Sequence, residues 1–195
     1  MSCCGIGAFG RLGQQRGRRG GVGKLGLPQR PKVLADLQAV AAIGQAELIQ
    51  VYEQAFAKFG RHAAQVLLTA EDLRHRSSYL NVRNALRQIS AFGSIPIINE
   101  NDCVAVDELM TTFGDNDRLA ASVAGLMNDA MLIILSDVDG LYDGHPRLPE
   151  SKVLPTVATI DAAVIAMACD TKNSVSKGHE QQVTGAQIAT SHGHW

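Results

Sequence analysis

Hydrophobic and polar positions alternate along the chain with two different periods. Over residues 33–59 the apolar positions Leu37, Val40, Ala41, Gly44, Leu48, Val51, Tyr52, Phe56 and Phe59 recur mostly at three- and four-residue steps, which predicts a long helix with one buried face. Gly44 sits inside that pattern and costs about 1 kcal/mol relative to alanine. It therefore suggests close packing, or close approach of a ligand, with Gln45 beside it. Gly60 and Arg61 end the helix. Residues 64–68 form a short apolar run, a strand candidate. Thr69 and Asp72 have N-cap spacing and open a helix to about Phe92, with Leu73, Leu80, Val82, Leu86 and Ile89 on its buried side. Gly93 closes it. Residues 95–98 predict a second strand, 117–127 a helix on Leu119, Val123 and Met127, and 131–135 a third strand. Residues 151–159 read as loop with a short strand, and 161–169 as a short helix. This order predicts an α/β fold with a mostly parallel sheet covered by helices.

Two of the apolar runs stop at polar clusters. Asn99-Glu100-Asn101-Asp102 follows 95–98, and Ser136-Asp137 follows 131–135. Between them, Gly114-Asp115-Asn116-Asp117 stands directly ahead of a helical pattern. In open α/β sheets the carboxyl ends of the strands form the ligand crevice. Asn and Asp are also ordinary turn formers, and Asp115 suits an N-cap, so a purely structural reading stands beside the functional one. Asn116 can donate to a carboxylate where a helix N-terminus favours an anion. The hydroxyl and carboxylate of Ser136 and Asp137 suit a nucleotide or its metal ion. Gly140 permits a tight turn, and Tyr142, Pro146 and Arg147 shape a loop over a ligand. GxxxxGK[ST], GxGxxG after a strand, HExxH and GxSxG are all absent. The chemistry alone points to a small polar, anionic substrate, with a nucleotide as candidate partner.

Composition narrows the class. The 195 residues suffice for one domain with a core, and 46% hydrophobic with 19% charged residues is ordinary globular content. A formal net charge of -1 favours neither nucleic acid nor membrane as partner. No run spans a bilayer, and the N-terminus lacks a signal-peptide core. Cys3, Cys4, Cys103 and Cys169 are scattered, which argues against disulfides and a zinc site. The expected class is a cytoplasmic enzyme. Residues 1–20 are rich in Gly and Arg without a period, so they read as a disordered segment or as a basic RNA- or phosphate-binding arm.

The motifs IPIINEND, GDND and LSDVDGLYDGHPR occur in order with KLGLPQRP, AAIGQAELIQ and LLTAEDLRHRSSYLNVRNALR. With them the chain resembles the glutamate 5-kinase branch of the amino-acid kinase family. The resemblance covers about residues 21–160, and the rest more weakly. It implies an incomplete three-layer α/β/α sandwich over 21–195, preceded by an atypical segment at 1–20. It implies transfer of the ATP γ-phosphoryl group to the side-chain carboxylate of L-glutamate, assisted by Mg²⁺, as the first step of proline biosynthesis. Asp102 would face the substrate ammonium group and Asn116 would donate to a carboxylate. Ser136 and Asp137 would belong to the ATP site. Asn99, Asn101, Asp115, Asp117, Lys177 and Gly178 would support it, with no dedicated protein cage for the metal. A homo-oligomer is the family's habit.

Departures from the family pattern qualify the expected activity. A Ser-Ser-Gly-Ala loop for glutamate and a Gly-Gly-Met-x-x-Lys loop for the phosphates have no literal counterpart. At the second, this chain carries Ser176-Lys177-Gly178-His179-Glu180-Gln181-Gln182. The literal chain is therefore expected to be weakly active or inactive, and the alternative is a non-catalytic glutamate-binding or subunit-interaction fragment. Reading the codons of Gly178 to Gln182 from their second base permits Gly-Met-Ser-Ser-Lys. The same shift over Leu12 to Gly17 permits Leu-Val-Ser-Ser-Gly-Ala. The hypothesis of a shifted frame near both ends predicts a CAT codon for His179, since only CAT yields the methionine. A CAC codon on sequencing the DNA would sink it.

Overall fold

The computed structural model describes residues 7–8, 22–29, 31–104, 115–127, 131–135, 140–143, 149–169 and 174–191. The rest of the 1–20 segment, together with Ser136 and Asp137, lies outside the described residues. The described elements are β1 (Gly7–Ala8), α1 (Leu34–Ala57), β2 (Ala63–Leu68), α2 (Ala70–Arg74), α3 (Arg76–Ala91), β3 (Ile95–Glu100), α4 (Asp115–Leu126), α5 (Ala162–Cys169) and α6 (Ser174–Ser191). The chain divides into two compact units, Met1–Leu119 and Ala120–Trp195.

The first unit is built on a three-stranded sheet in the order β1-β3-β2, parallel throughout. This is the expected α/β architecture, in incomplete form. In register, β2 runs from Ala63 opposite Ile95 to Leu68 opposite Glu100, and β1 sets Gly7 and Ala8 against Ile97 and Ile98. Central strand β3 is buried from Pro96 to Glu100, as expected of a parallel strand covered on both faces. Helix α1 packs on β2 and α3 on β3. The face of α1 that is buried carries Leu37, Val40, Ala41, Gly44 and Leu48, the first part of the predicted stripe. Its continuation is not buried, with Tyr52 and Phe56 half-buried and Val51 and Phe59 exposed.

Two helix-to-strand corners share one construction. At the end of α1, Gly60 N–H donates to the Ala57 carbonyl (3.0 Å) and Arg61 N–H to that of Phe56 (3.1 Å). At the end of α3, Gly93 N–H donates to Ser90 (2.9 Å) and Ser94 N–H to Ile89 (3.1 Å). Gly60 and Gly93 have φ of 65° and 76°, the left-handed conformation that closes a Schellman motif without a Cβ penalty. The corners are tied together by Arg61 Nη1, which donates to the Gly93 carbonyl (2.8 Å), and by Ile95 N–H, which donates to His62 (2.8 Å). Strands β2 and β3 thus leave their helices in step, and their carboxyl ends finish side by side.

The predicted helix from Thr69 to Phe92 is divided. Thr69 forms a capping box with Asp72: Asp72 N–H donates to Thr69 Oγ1 (3.3 Å) while Thr69 N–H donates to Asp72 Oδ2 (2.8 Å). The five-residue α2 then stops at His75, whose extended backbone (ψ 123°) breaks the run before α3. The sequence shows no Gly or Pro there, so side-chain periodicity carries no sign of the break. Thr69→Ala removes the reciprocal cap and is expected to lower stability by about 0.5–2 kcal/mol. Chemical denaturation measures this, and an unchanged midpoint refutes it.

Glu53 on α1 clasps the start of β2. Its carboxylate accepts from His62 Nδ1 (2.8 Å) and from Ala63 N–H (2.7 Å). The His62 hydrogen bond, then the Ala63 N–H, holds the Glu53 carboxyl below its ordinary value of 4.5. A lowered folded-state pKa contributes stability that is present above the unfolded value and lost as pH falls through the folded one. Acid titration of the unfolding midpoint is expected to show this loss below about pH 4.5 in the native chain and not in Glu53→Gln. The group is open to solvent, so the effect is small and weakened by salt. Parallel acid profiles for the two proteins would refute the assignment.

In the second unit α5 packs on α6. Asp161 caps α5 by accepting from Ala163 N–H (3.0 Å) and Val164 N–H (2.9 Å). Tyr142 and Val153 form an antiparallel bridge, the short strand contact expected within 151–159. Gly140, at φ 154°, lies where a Cβ would come within 2.8 Å of Val153 Cγ1, which explains its glycine. One predicted element is corrected: residues 131–135 enter no ladder among the described residues. Met131, Ile133 and Leu135 are 72%, 71% and 82% exposed. An apolar run supplies a strand's side chains but not its partner, and without a ladder it is not a strand.

Candidate functional site

The polar cluster after β3 is laid out by the sheet. Asn99 and Glu100 are still in β3, opposite Leu67 and Leu68. Asn101 N–H continues the ladder by donating to the Leu68 carbonyl (2.9 Å). The chain then turns, with Val104 N–H donating to the Asn101 carbonyl (3.1 Å), and Asp102 and Cys103 are the central residues of that turn. Asn99, Glu100 and Asp102 are only 4%, 7% and 8% exposed, while Cys103 is exposed. A turn former alone would lie in solvent. Three polar side chains buried within four residues require partners or a ligand.

Asn116, 5% exposed, is the second residue of α4, where unpaired backbone N–H groups and the helix dipole favour an anion. Asp117 follows it, half-buried. Asp115 is the first residue of α4, and its side chain lies outside the described residues. The predicted residues Asn99, Asn101, Asp102, Asn116 and Asp117 therefore all belong to the first unit. Lys177 and Gly178 fall within α6, their side chains outside the described residues. A helix occupies the stretch that aligns with the expected phosphate loop.

Tertiary structure adds a partner that spacing does not reveal. Asn99 Nδ2 donates to Gln45 Oε1 on α1 across 3.0 Å. Asn99 Oδ1 and Gln45 Nε2 are also buried, and neither has a hydrogen-bond partner. Exchanging O and N in both amides reverses the bond and leaves the same remainder, one carbonyl and one amino group. Leaving such groups unmatched costs about 1–3 kcal/mol each. Gln45 adjoins the buried Gly44, and that helix-interior glycine is the one sequence signal pointing to it.

Among the described residues, no group of three His, Cys, Asp or Glu could hold a metal ion. Carboxylates of this kind suit Mg²⁺ only where phosphate oxygens and water complete an octahedron, the usual manner for Mg²⁺ carried by a nucleotide. No helix among the described residues is long and apolar enough to cross a membrane.

The chain matches the Amino acid kinase family over residues 3–193. It is 59% identical over 175 residues to the glutamate 5-kinase of Rhodopirellula baltica, covering 89% of this chain and 45% of that protein. It is 49% identical over 159 residues to that of Myxococcus xanthus, covering 81% and 42%. To the Thermus thermophilus glutamate 5-kinase it is 46% identical over 170 residues, covering 87% and 45%. The chain thus spans less than half the length of the curated relatives it matches.

Proposed function

The chain belongs to the amino acid kinase family, and on that premise we propose that its site is a glutamate 5-kinase site. The reaction passes the γ-phosphoryl group of ATP to the side-chain carboxylate of L-glutamate. The observation that carries this reading is the buried run Asn99, Glu100 and Asp102 at the carboxyl end of the central strand. A small ligand with both ammonium and carboxylate groups would suit the chemistry of these residues, a carboxylate at Asp102 and amide donors at Asn99 and Asn116. Asp102 binds the ammonium group. Asn116, at the N-terminus of α4, donates to a carboxylate, while Asn99, Asn101, Asp115 and Asp117 order the site. Ser136 and Asp137 contribute to the nucleotide site, with Lys177 and Gly178 supporting. Mg²⁺, held by the nucleotide's phosphates rather than by a protein cage, would supply neutralisation of phosphate charge.

Phosphoryl transfer needs positioning and neutralisation of charge rather than covalent chemistry by the protein. A glycine-rich loop would offer backbone N–H groups to the phosphates, whereas a helix spends those beyond its first turn on its own carbonyls. Helix α6 covers 174–191, so Lys177 and Gly178 do not form such a loop. Removing one donor that stabilises transition-state charge typically costs ~10²–10³-fold in rate. We therefore expect this chain to bind L-glutamate and to form γ-glutamyl hydroxamate slowly with ATP and hydroxylamine. Turnover at the rate of a full-length relative would overturn the expectation of slow catalysis. Failure to bind L-glutamate in calorimetry would overturn the site itself.

A further inference from the structure

The amide pair between α1 and β3 is not accounted for by folding. Asn99 and Gln45 share one hydrogen bond of 3.0 Å, and each keeps a further buried amide atom that no hydrogen bond uses. Two apolar side chains of the same volume would fill this position without an unmatched donor and acceptor. The pair joins the middle of a 24-residue helix to the penultimate residue of the central strand, three positions before Asp102. Gly44 is buried immediately beside it. A glycine there costs helix stability and removes a side chain from the same buried face. The local sequence thus gives up stability at two adjacent residues to set a polar group against β3.

We propose that Gln45 is a positioning residue for substrate recognition: its side chain fixes the plane of the Asn99 amide, and through it the orientation of the Asn99–Asp102 segment that receives the amino acid. The proposal rests on the reading of that segment as the L-glutamate site. Gln45 itself touches no substrate. Its single bond holds the plane of the Asn99 amide in either assignment of O and N, so the neighbouring binding groups are held in one arrangement and meet one enantiomer of the ligand better than the other.

The test uses the whole chain, calorimetric titration with L- and D-glutamate, and urea denaturation without ligand. Gln45→Met keeps length and helix preference and removes the acceptor. It is expected to weaken L-glutamate binding at least tenfold and to shrink the preference for L over D. The double variant Gln45→Met with Asn99→Leu removes both amides. It is expected to unfold at the same or higher urea concentration than the native chain while losing selectivity. Binding by Gln45→Met within twofold of the native chain, with the L preference intact, would overturn the positioning role. A marked loss of stability in the double variant would overturn it as well, showing the pair to be a structural clasp. If the native chain binds neither enantiomer, the kinase-site reading fails and the proposal falls with it. That outcome is separable from the others because it is seen before any substitution is made.

Discussion

Asp102→Asn is expected to weaken L-glutamate binding by roughly 30-fold to several thousand-fold, the 2–5 kcal/mol typical of truncating one partner of a buried charge pair. Asp102 is 8% exposed in the turn that follows β3. Its carboxylate would meet the substrate ammonium group in a setting that screens charge far less than water does. Asparagine keeps the size and the turn propensity and removes the charge. The specific control is glutarate, which has both carboxylates of the substrate and no ammonium group. Its binding should be unchanged or improved in the variant. An equal loss for glutamate and glutarate would show that Asp102 shapes the turn rather than reading the ammonium group. Circular dichroism on the same samples separates either result from unfolding.

Ile97→Ala is expected to lower the unfolding free energy by about 2–5 kcal/mol. Ile97 is 1% exposed on the central strand and is paired on one side with Gly7 and on the other with Gln65. Truncation removes three carbons where two ladders converge, and both neighbouring strands would have to move to fill the void. Marginal stability makes such a loss a large fraction of the total. Phe92→Ala serves as the comparison. Its ring is 77% exposed, and surface changes of this kind usually fall within ±0.5 kcal/mol. Urea denaturation of both variants would refute the assignment of the core if Phe92→Ala cost more than Ile97→Ala.

These predictions separate positions whose sequence context looks alike. Phe59 and Phe92 continue apolar stripes, yet each sits past the end of its helix, where the Schellman turn swings it out to solvent. Leu86 lies on the same periodic face as Leu80 and Ile89 and is fully buried. Period alone cannot make this distinction, because it does not record where the helix ends. The capping residues Gly60, Gly93 and Thr69 do record it, and they were readable in the chain.

Local chemistry was legible wherever it is written over a few residues. The stripe on α1, the Thr69–Asp72 cap, the glycine stops and the apolar core of β3 all follow from side-chain preference within one or two turns. The polar run Asn99 to Asp102 was also legible as a strand end facing a crevice, since parallel strands carry their ligands there. Contacts over long sequence distances were not. Gln45 lies 54 residues from Asn99, and nothing near either residue specifies the other. Gly7 and Ala8 form a strand only because Ile97 and Ile98 offer them a ladder. Residues 131–135 have a strand's composition and enter no ladder among the described residues. Strand pairing and buried polar matching are agreements between distant segments, so only the folded chain decides them.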